Sequence, residues 1–135
     1  MALLNDEMIR KLASEALSAR EFSYSPYSKY RVGAALLTSS GRIFRGCNIE
    51  NSAYPVTVCA ERTAIFSAVA SGEKDFCAIA VAGSSEHCVP CGSCLQVMSE
   101  FCNADFPVIS VDSADKYYIH KLGELLPFMF SLNNK

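Results

Sequence analysis

Two short cysteine groups constrain this chain more than any other feature. Cys59-Ala60-Glu61 and Pro90-Cys91-Gly92-Ser93-Cys94 lie far apart in the sequence, and a fold that joins them places three thiols and one carboxylate at a single point. A structural zinc site is closed by four protein ligands, whereas a catalytic one uses three and leaves the fourth position to water. Three cysteines and a free glutamate match the open form, with the carboxylate as a proton shuttle beside the metal.

The spacing sharpens this reading. Residues three apart share a helix face, so Cys91 and Cys94 can grip one ion from the first turn of a helix that Pro90 introduces. Residues two apart do not share a face. Cys59 therefore holds the metal from a helix start while Glu61 points into the space beside it. Thiolates at two helix N-termini also meet the positive ends of two helix dipoles, which lowers thiol pKa. Taken alone, Cys91-x-x-Cys94 fits a closed zinc clip or a redox dithiol equally well, and Cys59 is what tips the balance. Cys88 repeats the spacing with Cys91 and has His87 beside it, but it precedes the Pro90 helix start; a site closed by Cys88 would be inert. Cys47, Cys77 and Cys102 lie in apolar patterns and read as small core residues. His87 and His120 suggest no role.

At 135 residues, half of them hydrophobic, the chain reads as one domain over 1-135 with a substantial core. Charged residues make up 19%, below the usual ~25%, so some apolar surface is expected between subunits of a homo-oligomer. A net charge of -2 with scattered lysines and arginines offers a polyanion no general attraction, which argues against nucleic acid as a partner. No stretch suits a membrane span, and Asp6, Glu7, Arg10 and Lys11 stand where a signal peptide needs an apolar core. With an odd number of cysteines, seven, the expected compartment is a reducing cytoplasm.

Asn5 can cap a helix with apolar positions Ile9, Leu12, Ala13, Ala16 and Leu17, ending before Ser25-Pro26. Strands at 31-37 and 42-47 flank a hairpin signal at Ser39-Ser40-Gly41. A helix over 59-71 stops at Gly72, and the unbroken run 76-82 reads as a strand buried on both faces. A helix over 91-103, a strand at 107-111, a short strand near 117-119 and a helical turn near 123-126 follow. This order predicts parallel strands joined by helical crossovers.

The chain also resembles the zinc-dependent cytidine deaminases. The resemblance is carried, in order, by Ser25-Pro26-Tyr27-Ser28, Val32-Gly33-Ala34-Ala35, Gly46-Cys47-Asn48-Ile49-Glu50-Asn51, Cys59-Ala60-Glu61-Arg62-Thr63-Ala64, Pro90-Cys91-Gly92, Gln96-Val97 and Glu124-Leu125-Leu126-Pro127. It implies a three-layer α/β/α fold with a five-stranded mixed sheet and one zinc ion per chain on Cys59, Cys91 and Cys94. The implied reaction is hydrolytic deamination of cytidine and deoxycytidine to uridine and deoxyuridine with release of ammonia, as in pyrimidine salvage, with Glu61 moving the protons. Zinc with three thiolates carries a net charge of -1, and the resemblance gives Arg62 the task of offsetting it through hydrogen bonds to thiolate sulfur.

For the substrate, the resemblance implies that Tyr30 stacks on the pyrimidine where the family often has phenylalanine, and that the Ala60 N–H holds the pyrimidine O2. Asn48 and Glu50, two residues apart after a strand, bind the ribose hydroxyls. Phe130 caps the pocket of a neighbouring chain in a homotetramer with shared active sites. Gly33 and Ala34 lack bulk, which suits close approach of a base or sugar, although tight sheet packing explains them equally well. Leu95 departs from the family's usual arginine. Val89 replaces a common serine but keeps the backbone carbonyl that meets the leaving amino group. Two rivals share parts of this pattern. A deaminase acting on nucleic acid would usually have histidine at Cys59 and a basic surface, and a non-catalytic zinc module would have no use for Glu61. A related cytosine nucleoside analogue as substrate is a further alternative.

Overall fold

The first helix starts where a side chain can satisfy its free N–H groups. In the computed structural model, which describes residues 3-132, Asn5 accepts the N–H of Met8 at 2.8 Å, and Asp6 and Glu7 occupy the first turn, where negative charge suits the helix dipole. The elements in order are α1 (Asp6–Arg20), β1 (Gly33–Thr38), β2 (Ile43–Cys47), α2 (Ala60–Ala70), β3 (Phe76–Ala82), α3 (Gly92–Phe101), β4 (Pro107–Ser113), β5 (Lys116–Lys121) and a short α4 (Leu122–Leu125). A single 3-10 turn at Tyr54–Val56 precedes α2. None of the described helices is long and apolar enough to cross a membrane.

The strands form one five-stranded mixed sheet in the order β2-β1-β3-β4-β5, and the period of two sorts its side chains into two cores. Ala35 and Leu37 of β1, Ala78 and Ala80 of β3 and Ile109 and Val111 of β4 meet Ile9, Leu12, Ala13 and Ala16 of α1. Ala34 and Leu36, Ile79 and Val108 face the other way, onto Ala64, Ile65 and Ala68 of α2 and Cys94, Leu95 and Met98 of α3. The result is the expected three-layer α/β/α arrangement. Leu95, at the family's usual arginine position, is a core residue with 6% exposure.

The strands expected to run parallel, β2, β3 and β4, do share one direction, and the sequence reading is corrected only on which of them are neighbours. Only β3 and β4 are parallel neighbours; β1 lies between β2 and β3 and is antiparallel to both. The tight turn at Gly41, whose φ is +90°, folds β2 back onto one edge of β1 and leaves the other edge for β3. The last two strands are also longer than hydropathy suggests. They pair from Pro107 with Lys121 to Ser113 with Lys116, yet β5 is largely exposed and polar, so its outer residues give no apolar signal.

Two glycines set how closely helices approach this sheet. A Cβ on Gly33 would lie 2.1 Å from the Ala16 carbonyl oxygen, and one on Gly46 would lie 2.4 Å from that of Ala60. Gly33 therefore serves the packing of α1, not access of a ligand to the backbone, and Gly46 lets α2 settle on β2 with the residue after Cys59 pressed to the sheet.

Candidate metal centre and pocket

Cys59 and Cys91 hold equivalent positions: each is the extended residue immediately before a helix, α2 or α3, and neither side chain caps its own helix. Both sulfurs turn to one point, and Cys94, buried in the first turn of α3, joins them. The Cys91 Sγ lies 4.0 Å from that of Cys59 and 3.5 Å from that of Cys94. Sulfurs around a tetrahedral zinc with Zn–S bonds of ~2.3 Å stand ~3.8 Å apart, so these distances and the soft thiol donors fit zinc. Among the described residues this is the one group of three or more such side chains able to hold a metal ion. Cys88 is outside it. Cys77 and Cys102 are buried, as expected of core residues, whereas Cys47 is only half-buried, with its Sγ 3.4 Å from the Phe22 carbonyl oxygen.

The surrounding charges are uneven. Cys59 is held down to about 5, chiefly by its hydrogen bond with Cys94 and then by the hydrogen bond and charge of Arg62. The same bond to Cys59, together with burial and the nearby Glu61, pushes the Cys94 thiol well above the ordinary range. Arg62 Nη2 donates to Cys59 Sγ at 3.1 Å, so one turn of α2 carries both the thiolate and its counter-charge. Glu61 is buried, with 4% exposure, and burial raises its carboxyl to about 7, helped by the Cys59 thiolate and opposed by a backbone N–H. A carboxyl poised near neutrality can both take and give a proton.

Cys59, Glu61 and Cys91 line a cavity of about 230 Å³ with Tyr30, Asn48, Ala60, Cys88 and Val89 on its walls. A larger cavity, about 490 Å³, lies at the opposite end of β3 around Asp75, Phe76 and Phe101, away from the thiols. The structure thus brings Cys59, Ala60, Glu61, Cys91, Tyr30 and Asn48 to one pocket.

Asn48 and Glu50 have work besides any ligand. Asn48 Oδ1 accepts the Ser23 hydroxyl at 2.5 Å and the Val32 N–H at 2.9 Å, and its Nδ2 donates to the Tyr30 carbonyl at 2.8 Å. Glu50 is buried, accepts the N–H groups of Tyr27 and Ser28 at 2.9 and 3.1 Å, and also accepts the Ser28 hydroxyl. These bonds hold its carboxyl below the usual range, the Ser28 hydroxyl most of all. Together they anchor the loop before β1, which includes Lys29 at a φ of +62° and Tyr30. Glu50 is not among the residues lining the cavity. Phe130 is not among them either: it is 66% exposed, and its carbonyl accepts from Gln96 Nε2 at 3.1 Å.

Sequence reasoning missed two features. Cys88 is a pocket-wall residue, for which the only signal was its place just before Pro90. His87 and His120 are hydrogen-bonded to each other at 2.8 Å, and their separation in sequence gave no hint of it.

Comparison with known proteins points one way. Residues 6-110 match the family model described as the cytidine and deoxycytidylate deaminase zinc-binding region. The chain is 50% identical over 124 residues to the cytidine deaminase of Sporosarcina psychrophila, covering 91% of each chain. It is 47% identical over 121 residues to that of Halalkalibacterium halodurans, covering 89% of this chain and 92% of the relative. The crystal structure of cytidine deaminase from Burkholderia pseudomallei superposes with a TM-score of 0.82 at 43% identity, over 89% of this chain and 97% of the other.

Proposed function

This chain belongs to the cytidine and deoxycytidylate deaminase family, and from that premise we propose that it hydrolyses free cytidine and deoxycytidine to uridine and deoxyuridine, releasing ammonia. The observation that carries the reading is Glu61, a buried carboxyl held near neutrality beside three converging sulfurs on the wall of a pocket. Cys59, Cys91 and Cys94 would hold one zinc ion per chain, and zinc, when bound, supplies the Lewis acid that makes water nucleophilic near neutral pH. Glu61 takes the proton of the attacking water, delivers it to the pyrimidine N3, and passes the next to the amino group, which leaves as ammonia. Water supplies the oxygen of the new carbonyl, and no redox change occurs. Arg62 keeps Cys59 in its ligating thiolate form and offsets part of the surplus negative charge.

Substrate recognition follows the pocket walls. The Tyr30 ring stacks on the base, the Ala60 N–H at the start of α2 holds the pyrimidine O2, and the Val89 carbonyl accepts from the amino group. Asn48 and Glu50 meet the ribose hydroxyls; Glu50 reaches them from beneath the 27-28 turn, where its carboxylate oxygens retain lone pairs. We further read residues 1-135 as one catalytic domain in a homotetramer with shared sites, working in cytoplasmic pyrimidine salvage. What supports sharing is the C-terminal segment: Met129 packs on the chain's own core, whereas Phe128 and Phe130 stand exposed at 94% and 66%, an uncommon display unless a partner covers it.

Base absorbance of the zinc-loaded protein with cytidine, deoxycytidine, adenosine and a short single-stranded oligonucleotide tests the reading. Turnover of the two cytosine nucleosides alone is expected. Turnover of the oligonucleotide instead, or of nothing, contradicts it.

A further inference from the structure

Residues 83-91 connect β3 to α3 without regular structure, yet they carry Cys88 and Val89 on the pocket wall and end at the Cys91 thiol. Whatever fixes this segment fixes those groups. On one side the Tyr30 hydroxyl meets Ser85 Oγ at 2.5 Å, and Ser84 Oγ bonds the Arg31 backbone. On the other side the segment rests on β4 and β5. Their register sets Ser110 opposite Tyr118 and Val108 opposite His120, placing these four on the sheet face that α3 covers. Ser110 Oγ donates to the Cys88 carbonyl at 2.8 Å, Asp112 Oδ1 accepts the His87 N–H at 2.7 Å, and the His87 ring stacks on Tyr118 with centroids 4.3 Å apart.

The remaining contact, between the His87 and His120 rings, has a geometry that identifies its chemistry. The two Nε2 atoms are 2.8 Å apart, the centroids 5.0 Å apart and the planes inclined by 7°. The centroids exceed the nitrogen separation by about two ring radii, so the imidazoles lie nose to nose in one plane and not face to face. Nitrogens so placed share one proton: an N–H of one ring points at the lone pair of the other. A metal ion does not fit between them, because two Zn–N bonds of ~2.0-2.1 Å in line need a wider gap. The pair holds when both rings are neutral and is strengthened when one is charged. When both are charged, two N–H groups face each other and the bond is lost.

We propose that His87 and His120 are positioning residues, a one-proton clasp that holds the 83-91 segment and so sets Cys88 and Val89 against the substrate. The kinetic part rests on the deaminase reading above; the clasp itself does not. The charged and titratable groups around it are the Asp112 carboxylate from β4, with Oδ2 buried and 4.0 Å from Lys116 Nζ, Lys116 and Tyr118 from β5, and Glu86 and Cys88 on the segment itself. The α1 helix packs on the opposite face of the sheet.

The test uses zinc-loaded enzyme and two variants. At about pH 7.5, His120→Leu should raise KM for cytidine by about 3- to 10-fold, the worth of one hydrogen bond, with zinc content unchanged. His120→Gln, whose amide donates or accepts, should stay within about twofold. A leucine-to-wild-type KM ratio of one, or a glutamine variant no better than the leucine variant, overturns the proposal. Ring-nitrogen NMR gives a readout independent of turnover: one bonded Nε2–H between the two rings is expected. Its absence refutes the clasp. Its presence in a protein inactive on cytidine supports the clasp and refutes the deaminase reading instead.

Discussion

The two ends of the pocket are built in different ways. At the metal end, everything needed lies within two helix starts of one chain: Cys59 and Cys91 precede α2 and α3, Cys94 lies within the first turn, and Arg62 reaches back to Cys59 at 3.1 Å. At the substrate end, Asn48 and Glu50 are engaged in anchoring the loop before β1, Tyr30 is held by Ser85 from a distant segment, and Phe130 stands in solvent. Local backbone geometry aims the thiols and the carboxylate, once α2 and α3 are packed on the same face of the sheet. Shaping a nucleoside site requires long-range contacts and, on the reading above, a second chain.

The comparison breaks most sharply if the metal end is not electrostatically self-contained. In metal-stripped protein the Glu61 carboxyl sits at about 7, above its unfolded value of 4.5. Its contribution to stability is therefore fully present below about pH 4.5 and lost as pH rises through 7. Denaturation of metal-stripped wild type and Glu61→Gln should show the variant gaining on the order of 3 kcal/mol relative to wild type across that window; a difference that does not vary with pH would show that Glu61 is not buried beside the thiols. Next in size, Arg62→Ala should lower turnover and zinc affinity together by roughly 10- to 100-fold, measured by steady-state kinetics and chelator competition. If both stay unchanged, the counter-charge comes from elsewhere.

The substrate end is probed by Phe130→Ala, which should raise KM about tenfold, as expected for loss of a ~1-1.5 kcal/mol aromatic contact, with zinc content intact. Mixing it with inactive Glu61→Gln chains under exchange conditions should restore some sites of normal KM. A fully active monomer in sedimentation at assay concentration would remove the partner from the account. The smallest effect is expected of Cys88→Ser: full zinc occupancy and turnover within about twofold, because this wall residue stands outside the three-sulfur cluster. Zinc loss in that variant would make the site a closed four-cysteine one.

Legibility in the sequence follows the same division. The metal end could be read because helix periodicity and proline placement act over three or four residues, and Cys59 with Glu61, and Cys91 with Cys94, each lie within that reach. The helices, the hairpin and the doubly buried β3 were legible for the same reason. The insertion of β1 between β2 and β3 was not, since strand order depends on which edge is free after the hairpin closes. Nor was the length of β5, whose outer residues are polar, or the meeting of His87 with His120, which requires the register of β4 on β5. Gly33 was ambiguous in sequence, and only the 2.1 Å approach of the Ala16 carbonyl decides it.

The central claim is that Glu61 moves protons beside a zinc ion it does not bind. The most direct measurement is the zinc content and cytidine turnover of Glu61→Gln, prepared in parallel with wild type. One zinc per chain with turnover reduced by about 10³-fold or more is predicted, since an amide keeps the shape of the carboxyl but cannot carry its protons. Retention of a tenth of the activity, or loss of the metal, would contradict it.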